Sequence, residues 1–287
     1  MSMRPVADFT SGSTGSALVR FVRRRPLVSF FIWFFSVGQA FAFYPLVASN
    51  SLHGVPPQTF ILGSTLFGLL LPTVVITYLI GGSGAVRFLW HRIATVRVAA
   101  GWYALALLVV PLLAIAITIA LEGPPVEASL PEVASLLLPH FVLPLLVTLL
   151  PNNLWEEVAW TGFVQTRLQA HHGPLLAAMI TGLLFALQHV SLALRGNSVT
   201  GAVAVLLLLS ALAIPFRFLT GWLYNRTASL LLVGVVHAAG NAVAGGSGFQ
   251  AGYLAALYPQ QQTASAAHLL AFAFVGLVVV IATRSRL

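Results

Sequence analysis

The chain has no cysteine, no lysine and only six acidic residues among 287. The absence of cysteine excludes disulfides, thiolate metal ligands and cysteine nucleophiles. All 14 basic residues are arginine, and charged residues make up 7% of the chain, whereas a soluble domain is about one quarter charged. Because 59% of the residues are hydrophobic and the mean hydropathy is +0.94, the composition predicts a membrane protein.

Apolar stretches long enough to cross a bilayer, which takes about 20 residues, recur along the whole chain. Backbone polar groups in lipid must be satisfied within each segment, so these runs predict helices. We therefore expect an all-α, polytopic membrane bundle of about eight transmembrane helices. The predicted spans are roughly 27–49, 59–81, 99–121, 134–169, 174–194, 199–222, 229–246 and 265–283.

The arginines predict the orientation of this bundle. They cluster before the first span, after the second, near the turn after the fourth, at the end of the sixth and at the C-terminus, whereas the opposite loops carry only Arg195. By the positive-inside rule both termini are cytoplasmic. The net charge of +8 then indicates contact with anionic lipid, and we expect no nucleic-acid partner. The all-arginine, Ala/Leu/Val-rich composition favours a bacterial plasma (inner) membrane.

Four regions follow from these patterns. We predict a loose basic cytoplasmic tail over 1–26, N-terminal transmembrane helices over 27–130, a core over 131–250 that contains both intramembrane glutamates, and the last transmembrane helix with a cytoplasmic C-terminus over 251–287.

Glu156 and Glu157 stand side by side between apolar runs, whereas the other acids lie in the N-terminal tail or in one short loop. A single acid at the middle of a membrane costs about 2.5–3.5 kcal/mol, so an intramembrane pair indicates a functional site. The alternative is an interfacial helix with solvated carboxylates, which Trp155 and Trp160 would suit.

The residues around this pair predict a helical hairpin. Residues 151–153 (Pro-Asn-Asn) predict a break in the fourth helix, with one asparagine capping its second half. A tight turn over 171–174 leads into the fifth helix. Glu156 and His189 each lie roughly 20 Å from this turn at about 1.5 Å per residue, so antiparallel helices place them at one level.

Two pairs at helical spacing complete the set. Phe185 and His189 share one face of the fifth helix, and His237 and Asn241 share one face of the seventh. Three helices can thus bring two carboxylates, two imidazoles and an amide together inside the membrane, nearer its cytoplasmic side. The alternative for each pair is a structural role, as a hydrogen-bonded core histidine or as a polar contact between helices. His140 and His268 have no polar partner at helical spacing, so we interpret them as structural.

This set suits the hydrolysis of an amide. A buried glutamate can accept a proton from water and pass it to the leaving amine, while one imidazole positions the water. The other imidazole and an amide N–H can stabilise the oxyanion. Glu156, His189 and His237 could instead bind zinc, since Glu and His are both zinc ligands. The chain has no H-E-x-x-H motif, and the spacing leaves both mechanisms open.

The motifs resemble those of the CPBP family, the CAAX prenyl endopeptidases and bacteriocin-processing intramembrane proteases. The family patterns EExxxR, FxxxH and HxxxN/D correspond to Glu156-Glu157, to Phe185 with His189, and to His237 with Asn241. The resemblance covers about 130–246. It implies a membrane-embedded endopeptidase with a cytoplasm-facing cavity.

The resemblance also implies catalytic roles. Glu156 would activate water with help from His189, Glu157 would support it, and His237 with Asn241 would bind the oxyanion. Whether the family uses a metal or a glutamate-activated water is open at this point.

One residue departs from the pattern: Thr161 stands where the family has arginine. Arg167 or Arg217 could supply the missing charge. We expect a peptide or a membrane-anchored protein as substrate, with bacteriocin-type peptides favoured over prenylated ones. Two alternatives are a non-catalytic member that provides immunity or binds a partner, and a small-solute or proton-coupled transporter whose relay would use these acids and histidines.

Overall fold

A computed structural model describes residues 16–48, 54–125, 129–245 and 251–287. Within these ranges the regular structure is entirely helical, so the predicted all-α polytopic fold is confirmed. The helices are α1 (Ala17–Arg24), α2 (Pro26–Val47), α3 (Pro57–Ile93), α4 (Ala100–Glu122), α5 (Leu130–His172), α6 (Pro174–Leu187), α7 (Val190–Leu194), α8 (Val199–Thr227), α9 (Leu230–Val243), α10 (Tyr253–Leu257) and α11 (Gln262–Ala282).

Five of the described helices, α2, α3, α4, α5 and α8, are long and apolar enough to cross a membrane. The other three predicted spans correspond to shorter apolar helices in α6, α9 and α11. Helices α6 and α9 have 14 residues each, or about 21 Å, which is less than the roughly 30 Å of a hydrocarbon core. His189 follows the end of α6 by two residues, and His237 lies within α9.

The N-terminal tail differs from the prediction where the structure describes it. Ala17–Arg24, which we expected in a loose tail over 1–26, forms helix α1. The Ser16 hydroxyl caps it by accepting a hydrogen bond from the Val19 N–H, and Arg23 Nε donates to the Leu79 carbonyl on α3 at 2.7 Å. Residues 1–15 of the predicted tail lie outside the described residues.

The predicted break at residues 151–153 is also wrong. The chain passes through Pro151 as a π-helical turn, Leu149–Asn153, and continues as α-helix from Leu154. A π turn adds a residue to the helical repeat, which accommodates a proline whose ring would clash in a regular α-helix. Asn153 keeps helical backbone angles and does not cap the following segment, so its amide is available to the site.

Helix α9 occupies the centre of the bundle. Twelve of its 14 residues are buried, on every face of the helix. It packs against α5, α4, α8 and α11. A helix that is apolar all round can face lipid or lie among other helices, and the burial of α9 on every face shows that protein surrounds it. Its polar residues are therefore kept away from lipid.

Helices α6, α8 and α11 pack closely because glycine stands at both contacts. A Cβ at Gly182 of α6 would lie 2.7 Å from Ile214 Cα of α8. A Cβ at Gly276 of α11 would overlap the carbonyl of Pro215, also in α8. Small residues at helix contacts in membranes allow such approach. The two glycines therefore fix the part of α8 that precedes Arg217.

We predict that Gly276→Leu destabilises the fold, because its side chain would meet the Pro215 backbone. Overpacking typically costs about 1–3 kcal/mol. The thermal unfolding midpoint of the detergent-purified protein measures this cost. Gly101→Leu is the matched control, because a Cβ at Gly101 meets nothing within 4 Å. Equal midpoints for the two variants would contradict the close contact of α8 and α11.

Candidate active site

Glu156 and Glu157 lie on a short α-helical stretch of α5, Leu154–Ala159, between two π-helical turns. The two carboxylates are 4% and 0% exposed, so the interpretation as solvated interfacial acids is wrong. Successive residues of a helix point about 100° apart, so neighbouring side chains reach different partners.

Glu157 accepts hydrogen bonds from three buried donors. Its Oε2 accepts from Arg217 Nη1 at 2.7 Å and from the Thr161 hydroxyl at 2.6 Å. Its Oε1 accepts from His237 Nδ1 at 2.8 Å. Both oxygens are bonded to protein groups, so Glu157 positions other side chains.

His237 is oriented by this carboxylate. Because a carboxylate oxygen can only accept, the bond to Glu157 requires the proton on Nδ1 and leaves Nε2 for a ligand. His237 Nδ1 also lies 3.9 Å from Glu156 Oε2. The imidazole thus connects the two glutamates from the central helix α9.

Glu156 faces a different set of groups. Its Oε1 accepts a hydrogen bond from Gln188 Nε2 at 2.6 Å, and its Oε2 accepts a longer one from Asn153 Nδ2 at 3.4 Å. Gln188 Oε1 in turn accepts from Trp160 Nε1 at 2.6 Å. The indole N–H can only donate, so it fixes which end of the Gln188 amide faces Glu156.

Gln188 is a site residue that the sequence patterns did not reveal. It occupies the interruption between α6 and α7, next to His189. Its position beside Glu156 agrees with the count of residues from the shared turn, which predicts that Glu156 and His189 lie at one level. A polar residue beside a motif histidine was the available signal.

His189 has its own fixed orientation. Its Nδ1 lies 3.1 Å from the Phe185 carbonyl, one helical turn earlier, and a carbonyl requires the proton on Nδ1. The ring packs against the Phe185 ring with centroids 5.1 Å apart. Nε2 of His189 is therefore also left for a ligand.

Asn241 joins the site through Asn153. Its Nδ2 donates to Asn153 Oδ1 at 3.2 Å, and Asn153 in turn donates to Glu156. The π turn before Glu156 thus provides an amide that connects α9 to the carboxylate. Asn241 also lines the cavity, so its side-chain amide can contact a ligand there.

These side chains line one cavity of about 330 Å³. Glu156, His189, His237 and Asn241 all contribute to its wall, whereas Glu157 lies behind it. Other wall residues come from helices outside the predicted core of 131–250: Ala42 of α2, Ile61, Ser64 and Thr65 of α3, and His268, Leu269 and Phe272 of α11.

His268, which we interpreted as structural, therefore lies in the cavity wall. The tight packing of α11 against α8 brings it there, which spacing within one helix cannot reveal. His140 is not among the residues that line the cavity, and its Nδ1 lies 3.1 Å from the Ala251 carbonyl.

The two arginines considered for the missing motif charge have different surroundings. Arg217 contacts Glu157 and Thr161, as described above. Arg167 Nη1 donates to the Phe163 carbonyl at 3.0 Å, and its guanidinium carbon lies 3.7 Å from the centroid of the Phe163 ring. Of the two arginines, Arg217 is the one that contacts the glutamate pair, through a hydrogen bond to Glu157.

The zinc alternative requires Glu156, His189 and His237 to converge on one point. Among the residues that the structure describes, no group of three histidine, aspartate or glutamate side chains could hold a metal ion. The engagement of Glu156 with Gln188 and Asn153 explains why this carboxylate does not close such a triangle.

Comparison of the sequence with models of protein families gives a match. Residues 138–243 match the family model described as type II CAAX prenyl endopeptidase Rce1-like. No significant match to a curated protein or to a solved structure was found. The matched segment is less than half of the chain; it contains all three motifs and both glutamates, and it supports the resemblance to the CAAX protease (CPBP) family.

Proposed function

We propose that the chain is an intramembrane endopeptidase in which Glu156 activates a water molecule that hydrolyses a peptide bond. The observation that carries this proposal is the cavity whose wall Glu156 shares with His189, His237 and Asn241. The family match supports a hydrolase of the CAAX protease type.

The reaction needs one group that moves a proton twice. Water attacks the carbonyl carbon of the peptide bond while Glu156 accepts its proton. The C–N bond then breaks as Glu156 returns that proton to the leaving amine, which yields a free carboxyl end and a free amine. The hydrogen bond from Gln188 holds one oxygen of Glu156, and the other oxygen faces His237 and Asn153.

The two histidines have separate tasks in this proposal. His189, whose Nδ1 proton faces the Phe185 carbonyl, accepts a hydrogen bond from the water at Nε2 and so orients it. His237 is held by Glu157, and in its protonated form its Nε2–H donates to the oxyanion. Asn241, whose side chain also lines the cavity, is a second donor in this proposal. Fixed donors in a site that excludes bulk water stabilise developing charge strongly.

The substrate we propose is a peptide or a membrane-anchored protein segment, cut near the cytoplasmic face of a bacterial inner membrane with both termini of the enzyme in the cytoplasm. The buried position of the cavity among apolar helices supports cleavage of a segment that enters the bilayer. The clustering of arginines in alternate loops supports this orientation.

We predict that Glu156→Gln abolishes cleavage, because the amide cannot accept the proton of the water. General acid–base catalysis typically contributes about 10²- to 10⁴-fold, so kcat should fall by at least that much. Purified protein in detergent and a panel of fluorogenic peptides measure the loss. Glu132→Gln is the matched control, because Glu132 is exposed and a glutamine can replace it in its capping box with Ser129.

Three results would contradict this proposal. Full turnover by Glu156→Gln would remove Glu156 from the chemistry. No turnover by well-folded wild-type protein on any peptide would favour a non-catalytic partner-binding role, and a Glu156-dependent solute flux in proteoliposomes would favour a transporter.

Gln188→Met tests the hydrogen bond to Glu156. The variant keeps the length of the side chain and removes the donor, so Glu156 becomes free to turn away from the water. A hydrogen bond to a charged group is worth about 1.5–3 kcal/mol, which predicts a fall in kcat of about 10- to 100-fold. Gln169→Met, on α5 near the turn, should keep the wild-type kcat. An unchanged kcat in Gln188→Met would show that Glu156 needs no such support.

A zinc chelator should leave the rate of cleavage unchanged, because no step of this mechanism uses a metal. The measurement is the initial rate after dialysis against the chelator, compared with untreated enzyme, with the metal content of both samples determined. A rate that falls with the metal content and returns when zinc is added would overturn the metal-free mechanism.

A further inference from the structure

Arg217 lies in the middle of α8 and is 0% exposed. Its Nη1 contacts Glu157 Oε2 at 2.7 Å and the Thr161 hydroxyl oxygen at 3.3 Å. Thr161 lies one turn after Glu157 on α5, and its hydroxyl donates to the same carboxylate oxygen at 2.6 Å. The three groups form one closed contact between two helices.

The rest of the guanidinium is covered by aromatic rings. Its central carbon lies 4.0 Å from the centroid of Phe185 and 4.7 Å from that of Phe216. Among the described residues, Nε and Nη2 have no hydrogen-bond acceptor. Attraction between a cation and a ring face compensates part of this burial, and Glu157 is the anion that balances the charge.

The same two rings contact the histidines of the site. Phe185 lies 5.1 Å from His189 and 6.0 Å from His237 between ring centroids, and Phe216 lies 4.9 Å from His237. Arg217 is thus on the far side of the wall that supports both imidazoles, and it is not among the residues that line the cavity.

The EExxxR pattern has its arginine at position 161, one turn after the second glutamate. An arginine there would occupy the space that the Arg217 guanidinium reaches from α8. Threonine at 161 leaves that space open, and its hydroxyl bonds to the incoming guanidinium. The charge beside Glu157 is therefore retained but comes from another helix.

We propose that Arg217 is a positioning residue for the reaction, which holds Glu157 so that Glu157 orients His237, and that Thr161 and Arg217 together replace the arginine of the EExxxR pattern. This inference rests on the proposed endopeptidase function. On this inference, the positive charge of the motif has moved from position 161 to Arg217 of α8, and the change at 161 does not abolish activity.

Exchanging the two residues is the test. Arg217→Thr removes the charge, Thr161→Arg adds a second guanidinium to a filled space, and the double variant Thr161→Arg/Arg217→Thr restores one charge at the motif position. Orienting partners behind a histidine typically contribute about 10- to 100-fold, so we expect kcat to fall by that factor in each single variant and to recover in the double one. KM should stay unchanged, because Arg217 does not line the cavity.

Arg167→Thr is the matched control, since Arg167 contacts Phe163 and should keep the wild-type kcat. Arg217→Lys should retain only part of the rate, because a compact ammonium lacks the planar group that packs against Phe185 and Phe216. Size-exclusion profiles and thermal unfolding of each variant report whether it folds.

A second readout does not depend on turnover. In protein labelled with ¹⁵N-histidine, the hydrogen-bonded Nδ1–H of His237 should give a downfield proton signal, assigned by its loss in His237→Gln. We expect Arg217→Thr to shift or broaden this signal and the double variant to restore it. If wild-type protein cleaves no peptide, the proposed function fails, and this signal still tests the positioning role.

Three outcomes would overturn the inference. The first is a wild-type kcat and His237 signal in folded Arg217→Thr. The second is a folded double variant that recovers neither the rate nor the signal. The third is a double variant that does not fold, because the inference requires an arginine at 161 to hold the same carboxylate.

Discussion

The site depends on one buried ion pair, between Arg217 of α8 and Glu157 of α5. Both side chains are 0% exposed, so neither charge is tolerable without the other. Removing one partner of such a pair typically costs about 3–5 kcal/mol, since the remaining charge is left uncompensated. The pair therefore ties α8 to α5, and the third bond of Glu157, to His237, ties both to the central helix α9. The same ion pair therefore fixes the orientation of the imidazole that we propose as the oxyanion donor.

Two adjacent and identical residues acquire different properties in this arrangement. Glu157 has both oxygens bonded to protein donors and is committed to structure. Glu156 lines the cavity and bonds to two neutral amides, those of Gln188 and Asn153. Environment separates a carboxylate that can exchange a proton with substrate from one that cannot, which is how paired acids come to have distinct roles. The helical rotation of about 100° between neighbours provides the separation.

Local spacing predicted only part of this site. Glu156, Glu157 and the two i, i+4 pairs could be found because each signal lies within one helix, and counting residues from a shared turn aligned two helices. Gln188 and His268 could not be found this way, and Arg217 could be named only as one of two candidates for the missing motif charge. The role of each depends on which face of one helix meets another. The prediction of a helix break at Pro151 was wrong, because a π turn accommodates the proline without ending the helix. The same turn places Asn153 beside Glu156.

The residues that line the cavity come both from the segment that matches the family model and from helices outside it. The segment that matches the family, 138–243, contains every group that the proposed reaction uses. Helices α2, α3 and α11 lie outside it and still line the same cavity, with Ala42, Ile61 and Leu269 among the residues facing it. In the proposed reaction, a peptide bound in the cavity would contact these side chains as well as Glu156. Substitutions in them would then change which peptide is bound without touching the Glu157–Arg217 pair, so the motifs alone do not specify the proposed substrate.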